Sequence, residues 1–186
     1  MIFNKHFNLV GEHAFLSASQ YHWINYSEEK LDARWLSSMA AKRGTRLHAF
    51  AHECIQLEQK LPRSSKTLNM YVNDAIGYRM QSEQILYYSD NCFGTADAVV
   101  FRRNQLRIHD LKNGAIPASF HQLEVYDALF CLEYQFKPHE IEIENRIYQN
   151  DEVLISEPDP DVVAHIMDKI VTFDKRINAL KEEVNE

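Results

Sequence analysis

Only three of the 186 residues are cysteine, five are glycine and five proline, and no apolar run reaches the eighteen or so residues of a membrane span. Cys54, Cys92 and Cys131 are odd in number and far apart, which excludes a disulfide framework and a CxxC metal clip and leaves three reduced thiols. With so little glycine and proline there is no linker, and there is no repeat or low-complexity tract. A single domain over residues 1–186 is therefore expected. The first residues, MIFNKHFNLVGEH, lack the apolar stretch of a secretory signal, so an intracellular, cytoplasmic protein with no membrane partner is expected. A basic excess is absent too. The formal charge is -7, but residues 1–138 hold 15 basic and 14 acidic side chains, whereas residues 139–186 hold 5 and 13. This rules out a polybasic coat and still permits a local basic groove in the first part, because phosphate contacts depend on local charge.

What is present is a clear change of pattern along the chain. Ser17 or Ser19 is placed to cap a short helix through Tyr26, and a long helix is predicted from about Glu28 to Lys60, ending before Pro62. Leu47, Phe50, Cys54, Leu57 and Leu61 recur at helical steps and mark its expected buried face. Ser64 or Ser65 opens another helix to about Met80. The segments EQILYYSD, CFGTADAVVFRR and QLRIHDLK are rich in β-branched and aromatic residues and are separated by Asp-Asn and Arg-Asn turns, which predicts a three-stranded meander. A helix follows over about Ser119–Tyr134, then strands HEIEIENRIYQ and EVLISE, then a helix from Pro160 to Asn185. The fold class expected is α/β, a central mixed sheet flanked by helices, with a helical N-terminal part and a long C-terminal helix. In that last helix Val163, Ile166, Ile170, Phe173, Ile177, Leu180 and Val184 alternate by three and four, an a/d seam. It serves either to pack on its own domain or to contact another copy or a protein partner.

The segment that carries chemistry is Gly94-Thr95-Ala96-Asp97 on one strand and Ile108-His109-Asp110-Leu111-Lys112-Asn113-Gly114 at the end of the next. The turn near Arg103 and Asn104 folds the strands together, bringing both carboxylates to one edge of the sheet. Asp110 and Lys112 are two residues apart and share a face. Two close carboxylates repel unless a cation lies between them. Few hard oxygen ligands suit Mg²⁺ or Mn²⁺, which keep waters and accept phosphate oxygens.

The order G-x-x-D, about a dozen residues, hydrophobic-D-hydrophobic-K-x-G, then a helix carrying Gln122 and Tyr126, resembles the RecB-like branch of the PD-(D/E)XK nucleases. That branch includes the RecB and AddB nuclease domains and the CRISPR-associated and phage-type single-domain exonucleases. The resemblance covers roughly residues 17–134. It implies Asp97 and Asp110 as metal-binding acids, Lys112 as the catalytic lysine, and Leu111 as a residue whose backbone carbonyl reaches the metal. It also implies His48, in the G-x-x-x-H setting of Gly44 to His48, as a further metal ligand, and the Q-x-x-x-Y pair Gln122 and Tyr126 as catalytic positioning residues. His52, one turn after His48, leaves open a zinc pair, although no third soft ligand stands at a suitable spacing. Four cysteines brace an iron-sulfur cluster in the CRISPR-associated members and AddB; the three here are not so arranged, and no cluster is expected. There is no G-x-x-x-x-G-K-[ST] loop, so any helicase motor would be a separate chain.

As phosphate contacts the sequence offers Lys42, Arg43, Arg46, Arg79, Arg102, Arg103 and Arg107, and as stacking residues Tyr21, Trp23, Tyr87 and Tyr88. The expected activity is hydrolysis of phosphodiester bonds in DNA, by an exonuclease acting on ends or single strands in recombination or end processing. Two alternatives stand beside it: a sequence-independent or structure-specific endonuclease, and a non-catalytic DNA-binding or partner-binding subunit that keeps the fold.

Overall fold

The structure, a computed structural model, describes residues 14–114 and 116–185. Two compact units divide the chain, Met1–Arg43 and Gly44–Glu186. The boundary falls inside a continuous helix, which is why composition carries no trace of it. In the first unit the Ser17 hydroxyl caps a 3-10 helix, Ala18–Asn25, by accepting from the Ser19 N–H, and Trp23 Nε1 donates to the Ser17 carbonyl at 2.9 Å. The first half of α1 (Glu28–Gln56) follows, with Trp35 set edge-on to Phe15.

The second unit begins with the remainder of α1 and contains α2 (Thr67–Tyr78), β1 (Gln81–Ser89), β2 (Cys92–Arg102), β3 (Gln105–Leu111), α3 (His121–Tyr134), β4 (Glu142–Gln149), β5 (Glu152–Ser156) and α4 (Pro160–Asn185). The strands form one sheet in the order β1-β2-β3-β4-β5, antiparallel except for β3 against β4. The parallel pair needs a crossover, and α3 lies within it. The α/β class expected from the sequence is therefore the one observed.

Strand alternation sorts the core into two clusters. Leu106, Ile108, Ile143 and Ile147 pack with Leu123, Leu129, Val163 and Ile170 of α3 and α4. Leu111 and Tyr148 pack with Ala51, Cys54 and Ile55 of α1 and Tyr71, Val72 and Ala75 of α2. The expected face of α1 holds at Cys54, which is buried, and at Leu47 and Leu61, which pack against the same cluster, but not at Phe50 and Leu57. Phe50 is 47% exposed and Leu57 65%, while Gly44, Ala51, Cys54 and Ile55 are buried. Small side chains at 44 and 51 let the helix come close to its neighbours, and a stripe counted from large residues alone misses them. The helix also stops at Gln56, earlier than Pro62 requires, with Glu58 in the left-handed conformation and the Gln59 N–H bonded to the Cys54 carbonyl.

The seam of α4 divides. Val163 and Ile170 are buried against α3, but Phe173, Ile177 and Leu180 are 59%, 38% and 40% exposed. Val184 lies outside the residues whose side chains are described. No helix among the described residues is long and apolar enough to cross a membrane.

Candidate metal centre

β2 and β3 pair from Arg102 and Gln105 as far as Ala98 and His109, and their pairing ends one residue before Asp97 and Asp110. A backbone donor left over at such an end must find another acceptor. The Leu111 N–H finds the Asp97 side chain, donating to Oδ2 at 2.8 Å. Parallel β4 continues alongside and fixes the end of β3, since the Lys112 N–H donates to the Tyr148 carbonyl. On the other side of β2, the pairing with β1 passes from Ser82 opposite Ala98 to Gln84 opposite Ala96. Glu83, between them, has φ 52. That left-handed kink turns its carboxylate toward Asp97 and His48.

His48 comes from α1, its Nδ1 3.2 Å from Asp97 Oδ1. One ligand atom from each of His48, Glu83 and Asp97 lies within 4.8 Å of the others, and among the described residues this is the group able to hold a cation. Glu83 was not anticipated. His48 and Glu83 also border an open cleft of about 580 Å³ together with Gly44, Thr45, Ala49 and His52. His52 does not join the group; its Nδ1 is bonded to Ser82 Oγ at 2.8 Å, so the H-x-x-x-H zinc alternative is not assembled.

Asp110 is 2% exposed. It stands outside the group of three, and its contact is Lys112, whose Nζ lies 3.0 Å from each carboxylate oxygen and hydrogen-bonds Oδ1. Oδ2 is buried and accepts no hydrogen bond among the described residues. Burial, and next the negative charge of Asp97, raise the pKa of Asp110 above the usual carboxylate value, against the opposing effect of Lys112. The hydrogen bond to Asp97 raises His48 above the ordinary imidazole value, with the charges of Asp97, Glu83 and Asp110 adding to it and burial opposing. Three carboxylates sensed by one imidazole and one ammonium make a negative site. A His-Glu-Asp set of hard oxygens and one nitrogen suits Mg²⁺ or Mn²⁺.

Lys112 is fixed from the other side. Its Nζ donates to Gln122 Oε1 at 2.9 Å, Gln122 Nε2 donates to the Tyr126 hydroxyl at 3.1 Å, and that hydroxyl donates to the Thr95 carbonyl at 2.7 Å. The spacing of four on α3 thus puts both polar tips on one face, and the chain of bonds returns to β2 two residues before Asp97. Two glycines make room. A Cβ at Gly94 would lie 2.8 Å from Tyr126 Cε1, and one at Gly44 2.9 Å from Asn113 Nδ2.

Of the residues singled out in the sequence, the structure brings together His48 with Asp97, and Asp110 with Lys112, Gln122 and Tyr126. Leu111 meets the site through its N–H, and the contact of its backbone with Asp97 is the one observed. Of the basic residues, those on the β2-β3 hairpin do not gather around this centre. Lys42 and Arg43 belong to the first unit and Arg46 is exposed on α1. Arg102, Arg103 and Arg107 lie toward the far end of the β2-β3 hairpin; Arg102 is five residues from Asp97, about 16 Å along the strand. Arg107 is already engaged by Glu144 at 3.1 Å and by the Tyr78 ring at 4.7 Å. Tyr21 and Trp23 lie in the first unit, and Tyr87 is stacked on Phe93 with its hydroxyl bonded to Asp90. No protein-family model, no curated protein and no solved structure matches this chain.

Proposed function

We propose that the second unit is a cation-dependent deoxyribonuclease that hydrolyses phosphodiester bonds, as an exonuclease on DNA ends or single strands in recombination or end processing. One observation carries the reading. A helix imidazole and the carboxylates of two strands converge within ligand distance of one another, and a buried aspartate-lysine pair stands at the end of the next strand. His48, Glu83 and Asp97 would hold Mg²⁺ or Mn²⁺, with Asp110 as the nearest further carboxylate. Such a cation, when bound, lowers the pKa of water and offsets charge developing on a phosphoryl group.

The chain's own residues do the rest. Lys112 has three N–H bonds, and Asp110 and Gln122 take two, which leaves one for a phosphate oxygen or the attacking water. The ammonium is held without rotation by that pair, so its charge is in place before the phosphorus is attacked. Asp97 spends one oxygen on the Leu111 N–H and turns the other toward His48, which keeps both groups oriented. Water oxygen bonds to phosphorus and gives up a proton to solvent, the bond to the leaving oxygen breaks, and that oxygen takes up a proton from solvent, so one water is consumed for each bond cut.

The test is to incubate the full chain with end-labelled linear DNA and closed circular DNA in Mg²⁺ or Mn²⁺. The linear substrate is expected to shorten while the circle survives. Asp110→Asn, Lys112→Ala and Glu83→Gln are each expected to lower the rate by about 10²-fold or more. Cutting of the circle would assign an endonuclease instead. DNA binding with no cutting in either cation would leave a non-catalytic subunit.

A further inference from the structure

In a chain of net charge -7, two adjoining clefts are lined by four arginines and no carboxylate. One, of about 360 Å³, is bordered by Tyr78, Arg103 and Arg107; the other, of about 320 Å³, by Arg79 and Tyr134; Arg102 and Val100 belong to both. All lie in the second unit, at the turn end of the β2-β3 hairpin and the end of α2. Among the described residues Arg79, Arg102 and Arg103 have no ion-pair partner. Arg107 is the exception, and it sits with Arg146 over the Tyr78 ring, the two sharing Glu144 while Asp74 also contacts Arg146. Positive charge therefore exceeds negative here even after every observed pairing.

The backbone adds a second argument. Arg103 and Asn104 both have positive φ, 51 and 64, as a two-residue hairpin turn requires. Glycine or asparagine takes the first of these positions at less cost than arginine. Arg79, which caps the end of α2, is likewise left-handed at φ 57. Two of the four arginines thus stand where their side chain is conformationally disfavoured, and the guanidinium gains no internal partner in return.

We infer that the arginine-lined clefts at the turn end of the β2-β3 hairpin bind phosphate groups of single-stranded nucleic acid. A guanidinium pairs two N–H donors with a phosphate, and the three without an ion-pair partner, Arg79, Arg102 and Arg103, along adjoining clefts track successive phosphates rather than one. Tyr134, 49% exposed, offers a ring to a base. The hollows are of a size for single nucleotides, whereas a duplex presents a convex surface too broad to enter them. Because Arg102 is about 16 Å along the strand from Asp97, the phosphates held here are several nucleotides from the one at the metal centre. The inference rests on the nuclease reading for the identity of the strand, but the binding is measurable without metal.

The experiment is fluorescence anisotropy of a labelled oligothymidine of about 20 nucleotides, and of a duplex of equal length, with the full chain in EDTA across a salt series. Each phosphate contact contributes about 0.7 to the salt slope on a single strand, so Arg102→Gln with Arg103→Gln is expected to lower it by about 1.4 and to weaken binding about tenfold or more. Arg102→Lys with Arg103→Lys should keep most of the affinity, which separates lost charge from lost folding. Affinity and slope unchanged in the Gln variant, or duplex bound more tightly than the single strand, would overturn the inference. If wild type cuts DNA but the Gln variant binds as wild type does, the clefts fail and the nuclease stands. If arginine-dependent binding occurs and wild type cuts nothing, the nuclease reading fails and the clefts stand.

Discussion

Asp127 and Asn145 show how much a single pair of side chains can reveal about the interior. Both are 0% exposed, Asn145 Nδ2 donates to Asp127 Oδ2 at 2.6 Å, and the remaining oxygen of each has no partner among the described residues. Two buried acceptors without a donor are costly; a proton on Asp127 supplies one. Burial raises the Asp127 carboxyl to about 8, against the lowering effect of Asn145, so the folded protein holds it neutral below that pH. In the unfolded chain it ionises near pH 4. The resulting stabilisation is complete below about pH 4 and is lost as pH rises toward about 8. Asp127→Asn keeps the shape without the titration. It is expected to gain roughly 2 kcal/mol or more over wild type between pH 4 and pH 8 in urea unfolding. Curves for the two proteins that run parallel over this range would show that Asp127 does not titrate there. At the same scale, Asp97, Asp110 and Lys112 were legible because strand period and triplet spacing are local. Glu83 was not, since its place beside His48 depends on a kink at φ 52 that no residue type announces.

Elements meet through the glycines. α3 approaches β2 closely enough for the Tyr126 ring to lie where a Gly94 side chain would be, and the same ring is anchored by Thr95 and Gln122. Gly94→Ala therefore cannot be absorbed by a free side-chain rotation. The ring must shift, and with it the Gln122 amide that holds Lys112. The variant is expected to lose about 1–3 kcal/mol of stability and, on the proposed nuclease reading, to cut DNA about tenfold more slowly, with thermal unfolding and initial rates as the measurements. Wild-type rates in Gly94→Ala would mean that Tyr126 plays no part in holding the lysine. The boundaries of β2, β3, α3 and α4 were readable from periodicity and turns. The buried face of α1 was readable only in part, at Leu47 and Cys54, because Gly44 and Ala51 are too small to register in a count of large apolar residues.

Across the whole second unit, α4 is the long-range tie. Its first half seals the core beside α3, and farther on Asp174 accepts from Ser89 Oγ at 2.5 Å and Asn91 Nδ2 at 2.8 Å, joining the end of the chain to the β1-β2 turn. Ile170→Ala should cost about 2–4 kcal/mol in denaturant unfolding, whereas Ile177→Ala and Leu180→Ala should each cost less than about 1 kcal/mol. Equal losses along the helix would mean that the seam is covered over its full length in solution. Sequence alone left that question open, since an a/d repeat reads the same whether a helix packs inward or outward.

Local spacing by itself determined the α/β class and the strand-helix order, and put Asp110 with Lys112 on one strand face and Gln122 with Tyr126 on one helix face, because those depend on periods of two and of three to four within one element. Tertiary structure alone decided that Glu83, and not Asp110, completes the group with His48 and Asp97, and that four arginines share two clefts. Each of these is a meeting of side chains from separate elements, fixed by how strands end, kink and pack, and such meetings leave no periodic mark on a sequence.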